Sequence, residues 1–288
     1  SAYPDKYQNE NLNSAIWTWQ DSHPDQRYPK GYGLPMFALS TNCLYKEAYE
    51  VLLKISQVIG CNGKEYKSKA EILKKNINEK FWNSKKNTYD YLYKESDFQE
   101  GMGLSFTILF NIANDSQINK IINNTYITNY GIPCVYPSFE RYLKMGYGRH
   151  SGTIWPHIQG FWAKAMKKVG QYDKFSFEMF ALAKNAVRDM QFAEIYHPVT
   201  GEIYGGVQED EGLGDKKYRI WKSCDYQTWS ATAFLNMIFE GIFDIKFKEK
   251  GEIDFSNVFL PNELKFAELK NINIFGKRYD VNVKRTGN

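Results

Sequence analysis

Several carboxylates in this chain are set among residues that would change how readily they hold a proton. Glu194 lies in QFAEIYHPVTGE, flanked by Phe192, Ile195 and Tyr196. Apolar neighbours penalise the ionised form of a carboxyl, which suits it to acid or base work. The plainer reading is a carboxylate that caps a helix or pairs with a lysine. Glu100, in DFQEGMGLSF, precedes a helical pattern, where the dipole favours an acid for structural reasons alone. Residues 21–32, DSHPDQRYPKGY, gather Asp21, His23, Asp25, Arg27, Tyr28 and Tyr32 around two prolines. Asp25 lies two residues before Arg27, and an acid held ionised by a guanidinium is a poor proton donor but a good acceptor for hydroxyls.

Other chemistries find little support. GxSxG, HExxH and Walker patterns are absent, and GYGRHSG lacks the glycine spacing of a dinucleotide fingerprint. His23, His150, His157 and His197 are too scattered to predict a metal cage, and Cys43, Cys61, Cys134 and Cys224 form no CxxC pair. No cofactor is expected. The net charge of +4 is spread along the 288 residues, so the basic groove that tracks nucleic-acid phosphates is missing. No run approaches the ~18 apolar residues of a membrane span, and no signal peptide is evident. The aromatic fraction of 16% stands out, since Trp, Tyr and Phe offer flat apolar faces for stacking on sugar rings or bases.

The elements that must position these groups are mainly helical. Ala70, Leu73, Ile77 and Phe81 recur at helical steps, as do Trp155, Ile158, Trp162 and Val169, and Met179, Leu182, Ala186 and Met190. Similar patterns near 33–59, 101–113 and 227–241 bring the total to about seven helices. Between them run long polar-aromatic segments, which in a compact domain are the usual seats of function. Helix pairs joined alternately by short turns and long loops describe an α-hairpin toroid over residues 1–245, with the long loops at one end. From 246 to 288 apolar and polar residues alternate between Gly and Pro, predicting a small β appendage.

FAEIYHPVTGEIYGG, with QTWSATAFLNMIFEGIF after it, resembles the last hairpin of the inverting (α/α)6-barrel glycosidases, the group of trehalases, processing α-glucosidases and mannosylglycerate hydrolase-like enzymes. The resemblance implies that Glu194 is the general base, with Tyr196 beside it, and that Trp229 and Ser230 open the last core helix. GTIWPHIQGFWA is similar to another hairpin start of the group and implies Trp155, His157 and Gln159 at the sugar-facing end. YGLPMFALSTNCLYKEAYEVL resembles the helix after the acid loop, with Asn42 at the matching Asn, and FLPNEL resembles strands that close such enzymes. Inversion needs one acid on the leaving oxygen and one carboxylate activating water on the opposite face, roughly 6.5–9.5 Å apart.

The acid loop of the group reads approximately Gly-aromatic-Asp-x-x-x-Arg-aromatic. Laying Arg27-Tyr28 on its end without a gap puts His23 at the acid position. Two extra residues bring Asp21, after Trp19, into place. Asp21 is therefore the expected acid and Asp25 a ligand, with Glu100 the remaining candidate. Trp17, Trp19, Tyr32, Tyr147, Trp155 and Trp229 are the stacking candidates, and Arg27, Arg149 and His150 further substrate contacts. The expected substrate is an α-linked glucoside or mannoside. A non-catalytic carbohydrate-binding or scaffold module, and a lyase or epimerase using Tyr196 and His197, are the alternatives. A complete barrel has twelve helices, so the chain reads as the carboxy-terminal part of such an enzyme, associating with a missing amino-terminal half, or as an incomplete toroid. The resemblance favours a periplasmic or secreted location, with the cytoplasm as the alternative.

Overall fold

The computed structural model describes residues 36–209, 218–248, 253–255 and 257–285. Its helices are α1 (Leu39–Val58), α2 (Lys64–Lys80), α3 (Gly101–Leu109), α4 (Asp115–Asn124), the single turn α5 (Glu140–Leu143), α6 (Pro156–Lys168), α7 (Tyr172–Asp189) and α8 (Thr228–Asn236). The last continues as a π-helical segment, Met237–Ile242. Residues 59–63, 110–114 and 169–171 are the short turns of three hairpins, and 81–100, 125–155 and 190–227 are the long segments between them. α1 packs on α3, α3 on α6 and α6 on α8, while α2 and α7 stand behind α1 and α6. Four inner helices thus lie side by side, three of them entered from a long segment, in an arc of a helical-hairpin toroid.

Neighbouring inner helices complete one another's ends. The first backbone N–H groups of a helix and its last carbonyls lack partners within it. Ser40, in the first turn of α1, donates its N–H to Glu100 Oε2 at 3.0 Å and its hydroxyl to Oε1. Glu100 precedes α3 but caps α1 instead, and makes no side-chain cap on its own helix. At the other end Lys46 of α1 donates to Phe110 O at 2.6 Å, and Lys168 of α6 to Ile108 O and Leu109 O at 2.9 and 2.7 Å. Cations at a helix C-terminus are favoured by its dipole. α4 is closed locally, by a capping box between Asn114 and Gln117.

One apolar core runs through the arc, from Leu73, Ile77 and Phe81 through Leu104 to Trp162, Phe175 and Phe243. Small residues set the closest approach: a Cβ on Gly160 of α6 would lie 2.9 Å from Ala233 Cβ of α8. The long segments carry strand pairs too short for any period to be read from sequence. β1 (Trp82–Asn83) pairs with β2 (Thr88–Tyr89), β3 (Gln99–Glu100) with β4 (Val135–Tyr136), and β5 (Val207–Glu209) with β6 (Tyr218–Ile220). After the π-helical segment, β7 (Lys246–Phe247) pairs with β8 (Ile253–Asp254), and β9 (Phe266–Ile274) with β10 (Lys277–Lys284). The turn of this last hairpin is Phe275-Gly276, both at positive φ, the backbone that matches strand twist.

Candidate active site

Three chain segments meet at the end from which the inner helices start. Tyr196 and Ile154 exchange backbone bonds, at 2.9 and 3.0 Å, and Ile154 also bridges to Pro133. Gly148 lies parallel to Val207, with Arg149 N–H donating to Val207 O at 3.1 Å and Val207 N–H to Tyr147 O at 2.8 Å. This crossing depends on Gly206, at φ +82°, where a Cβ would sit 2.3 Å from Arg149 Cα. Beside it, a Cβ on Gly205 would sit 1.6 Å from Trp221 O. The GG of EIYGGV is where Arg149 and Trp221 pass on either side.

Arg149 is held there by contacts on two sides. Its Nη1 donates to Gly205 O at 2.9 Å, and its Nη2 reaches Glu194 Oε2 at 2.6 Å. Trp155 fixes the same residue from below: its indole N–H donates to Arg149 O at 2.8 Å and its ring faces the guanidinium at 5.4 Å. Glu194 is only 4% exposed, a depth at which a carboxylate requires compensation. Cys224 N–H adds a second bond to Oε2 at 3.2 Å. Both donors therefore hold one oxygen, and Oε1 lies outside this clamp. The exposed Cys224 thiol sits beside the carboxylate, whose charge pushes the thiol pKa up.

Around Glu194 stands an aromatic wall. His150 stacks on Trp155 at 5.0 Å, His157 meets Trp155 edge-on at 5.4 Å, and Trp229 packs 5.6 Å from His157 and 6.3 Å from Trp155. Trp155 is the N-cap of α6, followed by Pro156 at a position where no N–H is needed. Trp229, in the first turn of α8, is 45% exposed and offers its face to solvent. Burial lowers the His157 pKa to about 4, with nearby His150 acting in the same direction, so the ring is neutral at physiological pH. Its Nδ1, the Trp221 indole nitrogen and the Ser230 hydroxyl are buried with no hydrogen-bond partner among the described residues.

The structure thus brings together Glu194, Arg149, His150, Trp155, His157 and Trp229 from the sequence reading. Gln159 lies elsewhere: it is 1% exposed and donates to Tyr130 O and Glu178 O, both at 3.1 Å, behind α6. Tyr196 is fully buried, its hydroxyl accepting from Ala193 N–H at 3.0 Å, so its side chain fixes the Glu194 turn from inside. Asn42 is likewise buried and donates to Ala38 O of its own helix. Glu100 is 7% exposed, and burial raises its pKa to about 7 against the opposing bonds from Ser40. Asp21, Asp25, Arg27, Trp19, Tyr32, Trp17 and His23 lie outside the described residues. Sequence reasoning missed Trp221 and the backbone of Cys224. Their signal was present only as position, within the long segment that also holds Glu194.

Among the described residues no group of His, Cys, Asp or Glu could hold a metal ion, and no helix is long and apolar enough to cross a membrane. The family described as the mannosylglycerate hydrolase MGH1-like glycoside hydrolase domain matches residues 4–230. A solved structure named a sialidase superposes with a TM-score of 0.71 at 15% identity, over 97% of this chain and 27% of that one. A GH63 mannosylglycerate hydrolase from Thermus thermophilus does so with a TM-score of 0.54 at 13% identity, over 73% of this chain and 47% of its own. The neutral trehalase of Saccharomyces cerevisiae gives 0.50 at 12% identity, over 58% and 34%. At these identities the likeness is one of fold, and the chain spans less than half the length of each of these three structures. No curated protein matches the chain.

Proposed function

Because the chain belongs to the mannosylglycerate hydrolase MGH1-like glycoside hydrolase domain family, we propose that it cleaves α-linked glucosides or mannosides with inversion, Glu194 acting as general base and Asp21 as general acid. The observation that carries this reading is the one-sided grip on Glu194. Arg149 and Cys224 N–H both hold Oε2, which fixes the carboxylate plane and leaves Oε1 to take a proton from water. A fixed base within hydrogen-bond reach of that water is the geometry such a step requires. Trp229, 45% exposed and backed by Trp155 and His157, supplies a face against which the apolar side of a sugar can stack.

Asp21 is preferred to Glu100 as the proton donor because both Glu100 oxygens already bond Ser40. In the inverting arrangement Asp21 protonates the glycosidic oxygen while the water activated by Glu194 attacks the opposite face of the sugar ring. The group needs no cofactor for this. A lyase or epimerase reading is disfavoured, since Tyr196 is fully buried and His197 Nδ1 accepts from Val199 and Thr200 N–H in its own turn.

The test is hydrolysis of an activated aryl α-glucoside and α-mannoside by the wild type, Asp21→Asn and Glu194→Gln. The reading expects each variant to lose on the order of 10³-fold or more in kcat, and proton NMR of the first product to show the inverted anomer. Rates unchanged in both variants, or a retained anomer, would overturn it.

A further inference from the structure

A second hollow, of about 360 Å³, lies on the flank of α7, and none of the residues around Glu194 lines it. Its size falls within the range of small-ligand sites, roughly 300–1,000 Å³. Phe177 and Phe180 of α7 and Tyr130 from the segment before β4 form its apolar surface. Phe177 is 41% exposed, an open aromatic face on a helix that otherwise backs the core. The Tyr130 ring is seated against Gly201, where a Cβ would come within 2.2 Å of it.

The polar groups are of a particular kind. Asn185 lines the hollow at 3% exposure. Asp173, Lys184 and Glu263 rim the same space, and none forms an ion pair among the described residues. Charges of both signs stand apart, with no cluster of cations for a phosphate. An aromatic face with a carboxylate, an ammonium and an amide beside it matches a neutral ligand that carries C–H faces and hydroxyls that both donate and accept.

We propose that this hollow is a second carbohydrate site, binding one neutral hexose unit with its apolar face on Phe177 and its hydroxyls on Asn185 and Asp173. It needs no hydrolysis at Glu194, so it stands or falls apart from the catalytic reading. It would hold a chain or a product on the enzyme surface while the site around Glu194 works.

The experiment uses the full chain with the site around Glu194 disabled by Glu194→Gln and Trp229→Ala, folding being checked by circular dichroism. Methyl α-glucoside, methyl α-mannoside and maltotriose are titrated and followed by saturation-transfer NMR. Saturable binding of at least one sugar is expected to survive in this protein. It is expected to weaken about tenfold when Phe177→Ala or Asp173→Ala is added, as loss of a stacking or charged contact does. Both side chains are exposed, so neither change disturbs the core. Titrations that superimpose with and without these changes, or the absence of saturable binding for all three sugars, would overturn the proposal. Hydrolysis by the wild type is measured separately.

Discussion

Glu194 and Arg149 are 45 positions apart, yet the guanidinium meets the carboxylate at 2.6 Å. Arg149 acts as a fork, one arm on Gly205 O and the other on Glu194, a shape that lysine cannot reproduce. Arg149→Lys is accordingly expected to lower kcat by on the order of 10²-fold with a smaller change in KM, since it misplaces the base and not the substrate wall. Steady-state kinetics on the aryl glycoside would show it. Glu100→Gln separates a cap from a catalyst. A cap role predicts a loss of about 1 kcal/mol in urea unfolding, with kcat within a few-fold of wild type. A fall in kcat comparable to that of Glu194→Gln would instead make Glu100 the acid. At this scale the burial of Glu194 was legible from its flanking apolar and aromatic residues, whereas the donors that grip it come from residues with no local mark.

Among the elements, the crossing at Gly206 is the most sensitive. A side chain there meets both a positive φ and the Arg149 backbone at 2.3 Å. Gly206→Ala should cost about 2 kcal/mol or more and lower activity together with stability, because the displaced strand carries Arg149. The α6–α7 hairpin contains a second marker, Glu178, which is 1% exposed and faces Gln159 and Ile132 N–H. Burial raises its pKa to about 8. Glu178 Oε1 and Gln159 Oε1 have no partner among the described residues, and a proton on the acid supplies the donor that both lack. The folded state holds that proton where the unfolded chain, near pH 4.5, has lost it. Stability from this group is therefore full below about pH 4.5 and falls as pH rises toward 8, by at most about 1.4 kcal/mol per unit. Glu178→Gln should remove this dependence and be more stable than wild type at pH 9, as urea midpoints at pH 5, 7 and 9 would reveal. Helix spacing was readable because each helix repeats one buried stripe over many residues. Strands of two or three residues repeat nothing.

For the whole molecule, the segment that leads into the β9–β10 hairpin docks on α7 through Phe259, stacked on Tyr172 at 4.5 Å and set edge-on to Phe175 at 6.0 Å. Phe259→Ala should cost about 2 kcal/mol in global unfolding while leaving KM for the aryl glycoside unchanged, since the stack joins that segment to α7 and touches none of the residues around Glu194. If thermal unfolding of this variant split into two transitions, the hairpin would be a separate unit. The sequence by itself determined the mainly helical class, the alternation of short turns with long aromatic segments, and the acid among aromatics at 194. Those are local matters: a buried stripe and a desolvated side chain are written within a dozen residues. Only the tertiary structure decided that Glu100 caps α1 instead of its own helix. It also decided that Gln159 and Tyr196 face the interior, and that Arg149 and Cys224 N–H hold a single oxygen of Glu194. These depend on which distant backbone passes within 3 Å, and that is set by close packing of whole helices and loops, which no local pattern encodes.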